Sequence, residues 1–180
     1  MRSNEIRHTS TYTFTANAVP TAEGAIEIAI SETPVTVHGS RCLVLGYGRV
    51  GKTLSHSLLS LGAKAYVVAR KYADLAQIEN YGCHPLTMND AKSRIAGFDI
   101  IFNTIPALVL DSDTLARTRK DTLIIDLASK PGGVDFEAAK QLGLNVIWAL
   151  SLPGRVAPVT AGHIIKDTII NMLAESEVRL

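Results

Sequence analysis

From residue 41 the chain alternates short apolar runs with stretches of helical periodicity. The runs fall at 41–46, 64–69, 83–86, 99–103, 121–126 and 145–148. Several are continuously apolar, such as Leu43-Val44-Leu45 and Ile100-Ile101-Phe102, where a half-exposed strand would alternate. Continuous runs mark strands covered on both faces, as in a parallel sheet. Helical stretches at 50–61, 72–81, 89–95, 112–117 and 136–142 separate them. Six strands with intervening helices predict an α/β, Rossmann-type doubly wound parallel sheet. Right-handed crossovers then give the strand order 3-2-1-4-5-6.

Helices flank this unit. Ala22, Ala25, Ile26, Ala29 and Ile30 form one apolar stripe from Pro20 onward, with Thr21 as the expected N-cap and Pro34 as the stop. After Trp148, the segment 152–158 holds two prolines and a glycine and reads as a shaped loop. A final helix is expected over 160–175, capped by Thr160, with Ala161, Ile165, Thr168, Ile169 and Met172 on one face. Residues 1–19 are polar and read as an arm or truncated end, leaving 20–180 as the folded unit.

Composition narrows the function classes. The 180 residues are 47% hydrophobic and 19% charged, the profile of a globular chain. A net charge of +1 gives no basic excess for nucleic acid. No run reaches the length of a membrane span, and 1–19 has no apolar signal core, so the expected location is the cytoplasm. Cys42 and Cys83 form no CxxC pair, and no metal-ligand spacing or Ser-His-Asp set emerges. Cys42 lies in an apolar run and is expected in the core.

The strongest motif is Gly46-Tyr47-Gly48-Arg49-Val50-Gly51, a GxGxxG that directly follows the first strand and opens a helix. Gly46 permits the tight turn, Gly48 admits a pyrophosphate, and Gly51 allows close helix packing. The helix N-terminus, starting around Arg49 and Val50, offers N–H groups and a positive dipole end to phosphates. An NAD site usually carries an acid at the end of the second strand. Here Arg70-Lys71 stand there, and no acid occurs before Asp74. A guanidinium pairs with a 2′-phosphate, so the expected cofactor is NADP over NAD.

Ligands of open α/β sheets bind beyond the carboxyl ends of the strands. Asn103-Thr104-Ile105-Pro106 at the fourth strand is a candidate for contact with the nicotinamide end, and Ala128 and Pro153 join the cofactor candidates from the fifth and sixth. Asp126 is expected to organise the 126–133 loop through backbone hydrogen bonds, with Ser129 and Lys130 facing a substrate. Arg155 is a candidate grip for a substrate carboxylate. His163 is a candidate base in the first turn of the final helix, where the dipole favours neutral imidazole.

Taken together, these segments resemble the A subunits of dipicolinate synthases from endospore-forming bacteria. The likeness spans about residues 18–175 and is carried by the glycine loop, Asn103-Thr104-Ile105-Pro106, Asp126-Leu127-Ala128-Ser129-Lys130-Pro131-Gly132-Gly133 and Leu152-Pro153-Gly154-Arg155-Val156-Ala157-Pro158. The resemblance implies an oxidoreductase that aromatises a dihydrodipicolinate-type intermediate to dipicolinate in the mother-cell cytoplasm during sporulation. It implies NADP as hydride acceptor, a small dicarboxylate substrate, an oligomer and a flavoprotein-like second subunit. It also implies an N-terminal domain that residues 1–19 cannot supply, so the leading and final helices are expected to expose apolar faces. Two other readings stand beside it: a non-catalytic module for cofactor binding or assembly, and another two-domain NADP-dependent dehydrogenase.

Overall fold

Side chains of a strand alternate between the two faces of its sheet, so a continuously apolar strand must be covered twice. The computed structural model describes residues 15–177 and shows this arrangement. The elements run α1 (Ala18–Glu32), β1 (Arg41–Leu45), α2 (Arg49–Ser60), β2 (Lys64–Val68), α3 (Tyr72–Asn80), β3 (His84–Leu86) and α4 (Met88–Ser93). They continue with β4 (Ile100–Asn103), α5 (Ser112–Ala116), β5 (Leu123–Asp126), α6 (Phe136–Leu142), β6 (Asn145–Trp148), α7 (Leu152–Val156) and α8 (Pro158–Glu177). All six strands are parallel, in the order β3-β2-β1-β4-β5-β6 that the alternating pattern predicts.

Two cores result. Cys42, Val44, Ile100, Phe102, Leu123 and Ile125 face α1, α2 and α3, meeting Ala25, Ala29, Leu54, Leu58 and Ile78. Leu43, Leu45, Ile101 and Ile124 face the other way, against Ala91, Ile95, Leu115 and Ala139. Every residue of β4 and β5 is buried. The edge strand β3 is only three residues long and carries Pro85, which suits an edge position. Cys42 is wholly buried, as expected, and desolvation pushes its thiol pKa up to about 12. It stays protonated and unreactive.

Several boundaries differ from the sequence reading. The first helix starts at Ala18, with Asn17 and not Thr21 at its N-cap. The Thr21 hydroxyl instead donates to the Asn17 carbonyl at 2.6 Å, from inside the first turn. Ala18 and Val19 therefore belong to α1, residues 15–17 lead into it, and 1–14 of the proposed arm lie outside the described residues. Of the apolar stripe, Ala22, Ala25, Ile26 and Ala29 are buried while Ile30 is 60% exposed, and Ile28, outside the stripe, is buried as well. The expected loop 152–158 holds a helical turn, α7, because Pro153 sits where a helix start tolerates proline. It packs on α1, where Gly24 leaves room for Val156 and Leu152. The last helix begins at Pro158, so Thr160 lies within it and caps nothing. Among the described residues, no helix is long and apolar enough to cross a membrane.

Candidate functional site

The strand order reverses between β1 and β4, and there the loops that leave the two strands part. Gly46 leaves β1 with φ +102°, a left-handed conformation that side chains resist. A Cβ here would also come within 2.6 Å of Thr104 Oγ1. A Cβ on Gly51 would collide with the Gly46 carbonyl, so this glycine lets α2 lie against the turn. Gly48 differs from both. It has ordinary extended backbone, and a Cβ there would meet nothing within 4 Å. The fold does not require glycine at this position; the space in front of it does, if a pyrophosphate is to approach. Gly48 is the N-cap of α2 and no side chain caps the helix. The first turn therefore presents N–H groups and the positive dipole end to an anion.

A cleft of about 610 Å³ opens in front of this loop. One wall is Gly46, Tyr47 and Gly48; the second is Val68, Ala69, Arg70, Lys71 and Asp74; the third is Thr104, Ile105, Pro106, Ala107 and Val109, with Met88 behind. The size is that of a small-molecule or cofactor site. Thr104 is fixed to β1, its N–H and hydroxyl both donating to the Leu45 carbonyl at 3.0 and 2.9 Å. Tyr47 is 9% exposed, and its hydroxyl has no hydrogen-bond partner among the described residues. Burial, and then Cys83, Tyr81 and Asp74, push its pKa up. Lys52 lies 4.8 Å from the centre of its ring. The open space, the uncapped helix start and the cleft together fit a nicotinamide dinucleotide.

The third wall is set from beneath. Asn103 and Asp126 are paired across β4 and β5 and both are wholly buried. Asn103 Nδ2 donates to Asp126 Oδ1 at 2.8 Å and to the Ile105 carbonyl at 3.0 Å, while Ile105 N–H donates back to Asn103 Oδ1. Asp126 also accepts from the Ala128 and Gly133 N–H groups at 3.0 and 2.8 Å. Asp126 thus organises its loop through backbone hydrogen bonds, as its position in the sequence suggests. One buried carboxylate holds the loops after both strands in a single arrangement.

The structure brings Gly46, Gly48, Arg70, Lys71, Thr104, Ile105 and Pro106 onto this cleft. Arg49, Val50 and Gly51 form the helix start beside it. Asn103 lies beneath the cleft, its amide used within the protein. Ala128 is buried and accepts a hydrogen bond from Trp148 Nε1; Pro153 sits in α7. Lys130 and Arg155 are exposed and do not line the cleft. His163 is exposed in the second turn of α8, beyond the N-terminal turn that the sequence reading gave it. The dipole argument for it lapses, since that effect fades within one turn. Tyr47, Asp74, Met88 and Val109 were not singled out as site residues; the strand-end rule that pointed to 103–106 points equally to Met88, two residues beyond β3. A larger groove of about 690 Å³ runs between α1 and α2, but no strand end reaches it.

A protein family described as "Putative NAD(P)-binding" matches residues 34–138. The A subunit of dipicolinate synthase from Bacillus subtilis (strain 168) is 43% identical over 159 residues, which cover 88% of this chain and 54% of that protein. The crystal structure of the corresponding dipicolinate synthase polypeptide from Bacillus halodurans superposes with a TM-score of 0.88 at 43% identity, covering 90% of this chain and 56% of that one. The crystal structure of its Bacillus subtilis counterpart gives 0.91 at 41% identity, covering 93% and 56%. The chain thus spans about half the length of the relatives it matches. With more than half of its residues under one family model, the chain belongs to the NAD(P)-binding family, and its likeness to dipicolinate synthase A subunits runs past both ends of that match.

Proposed function

We propose that this chain is the NADP-binding part of an oxidoreductase that converts a dihydrodipicolinate-type intermediate to dipicolinate in the cytoplasm of a sporulating cell. One observation carries the reading: a cleft in front of the glycine loop with Arg70 and Lys71 in its lining, in a chain 43% identical to a dipicolinate synthase A subunit. The bound dinucleotide supplies hydride acceptance, and the aromatised ring releases a proton. The chain's own residues bind and orient. The α2 start and Gly48 receive the pyrophosphate, Arg70 and Lys71 the 2′-phosphate, and Thr104–Pro106 the nicotinamide end. Lys130 and Arg155 are the cations proposed to meet the small dicarboxylate. An oligomeric assembly with a flavoprotein-like second subunit belongs to the same proposal.

A second reading has its own support. Lys130, Arg155 and His163 all stand outside the cleft. On that reading the chain binds the cofactor, assembles with a partner and transfers no hydride by itself. Mixing the chain, the flavoprotein-like partner, NADP⁺ and the dihydro substrate separates the two. NADPH formation supports the enzyme; cofactor binding without NADPH supports the assembly module. Arg70→Asp is expected to weaken NADPH by about 50-fold and NADH far less. Equal losses, read by titration calorimetry, would remove Arg70 from the 2′-phosphate.

A further inference from the structure

Two apolar surfaces among the described residues lie uncovered, and neither belongs to the cleft. The first is the outer face of α8, a helix that meets the rest of the fold chiefly through α7. Val159, Ile165, Ile169 and Ile170 are each more than half exposed. At 3.6 residues per turn they share one side of the helix, and Lys166 falls in the middle of that side, between Ile169 and Ile170. The second surface is the groove of about 690 Å³ between α1 and α2. Ile26, Ile30 and Leu61 give it an apolar lining, and Glu23 and Glu27, one turn apart on α1, give it acids. Glu23, Glu27 and Lys166 enter none of the ion pairs among the described residues, which are Lys92–Asp111, Arg119–Asp99 and Arg119–Asp121. A lysine at the centre of an apolar face dictates what can cover that face. Burying its ammonium against aliphatic groups alone is strongly unfavourable, so the cover must set acids among apolar side chains. The α1–α2 groove has that composition.

We propose that these two surfaces bind each other between two copies of the chain, α8 of each copy lying in the α1–α2 groove of the other. Within one chain no residue of α8 lines the groove, so the contact needs a second copy. A helical ridge meets a groove, aliphatic side chains meet aliphatic side chains, and Lys166 meets Glu23 and Glu27. The exchange is reciprocal, so a twofold dimer closes on itself and leaves neither surface free to recruit a third copy. Two seats also double the buried area, which brings a short helix contact toward the roughly 1,000 Å² that a specific interface needs. The groove shares no lining residue with the cleft, so the proposal stands independently of the dinucleotide reading.

The test is analytical ultracentrifugation of the whole chain and of charge-reversed variants over a wide range of concentration. The wild-type chain is expected to form a dimer. Lys166→Glu, and separately Glu23→Lys combined with Glu27→Lys, are each expected to weaken it by about tenfold or more, because like charges then face each other in both seats. All three positions are exposed, so the fold tolerates the changes. Placing the three substitutions in one chain restores the dimer, since the charges are exchanged and not lost. Mixing the Lys166→Glu chain with the Glu23→Lys, Glu27→Lys chain gives a heterodimer, because both of its seats are then matched. A wild-type monomer at every concentration overturns the proposal. So does a dimer indifferent to the reversal on α1, which would place the interface elsewhere, or a triple variant that stays apart.

Discussion

The two outer glycines of the loop serve the fold, and the middle one does not. Gly51→Ala is expected to cost about 2 kcal/mol or more, because its Cβ would meet the Gly46 carbonyl. Gly48→Val is expected to melt a few degrees below wild type, the cost of valine at a helix N-cap, and to lose dinucleotide binding as its side chain fills the open space. Parallel thermal melts with and without NADPH read both effects. Normal binding by Gly48→Val would sink the pyrophosphate assignment. Ser151 is the non-glycine residue with positive φ among the described residues, at φ 58° and ψ 30°. Ser151→Gly should raise stability by about 1 kcal/mol, measured by urea denaturation. The glycine loop was legible because three glycines after an apolar strand have few other uses. Ser151 was not legible, because nothing in its type announces a left-handed conformation.

Among the elements, the interior sheet was the most legible part. Runs such as Ile100-Ile101-Phe102 need cover on both faces, and only a doubly wound order supplies it. The short helices α4, α5 and α6 were legible too, but α7 was not. α7 contains a proline and a glycine that read as loop, and its helical turn comes from packing on α1. The Asn103–Asp126 link joins elements that the sequence keeps 23 residues apart. Asp126→Ala would leave one N–H of the Asn103 amide and two backbone N–H groups without their acceptor. It is expected to cost about 3 kcal/mol or more and to loosen both loops, read by the denaturation midpoint and by proteolysis. A second tie, Lys92 to Asp111 at 2.6 Å, joins α4 to the start of α5. The Lys92 hydrogen bond, followed by those of Thr114, holds the Asp111 carboxyl well below its ordinary range. A depressed carboxyl stabilises the fold above its unfolded pKa of about 3.9, and that contribution fades as pH falls through the folded value. Lys92→Met should therefore lose less stability than wild type on acidification from pH 5 to pH 2. The pair is partly exposed, so the cost at neutral pH stays near 0.5 kcal/mol. Thermal melts across that range give the comparison.

Over the whole molecule, stability is concentrated in the sheet and thins toward α8. Ile164 is the buried residue of that helix among its described side chains, while Val159, Ile165, Ile169, Ile170, Met172 and Leu173 are each 47–70% exposed. A single chain should show slow amide exchange in β1, β4 and β5 and fast exchange along α8. Protection of α8 equal to that of β4, appearing only at high protein concentration, would mean that another surface covers it. The leading helix is better held. α1 lies on α2 and on α7, and Gly24 fits beneath Val156 because it has no side chain. These partners are about 130 residues apart. At ribosomal speeds of about 5–20 residues per second, α1 leaves the exit tunnel roughly 7–26 s before the segment that completes its cover. Through that interval its small-residue face stays open to whatever chaperones attend the growing chain.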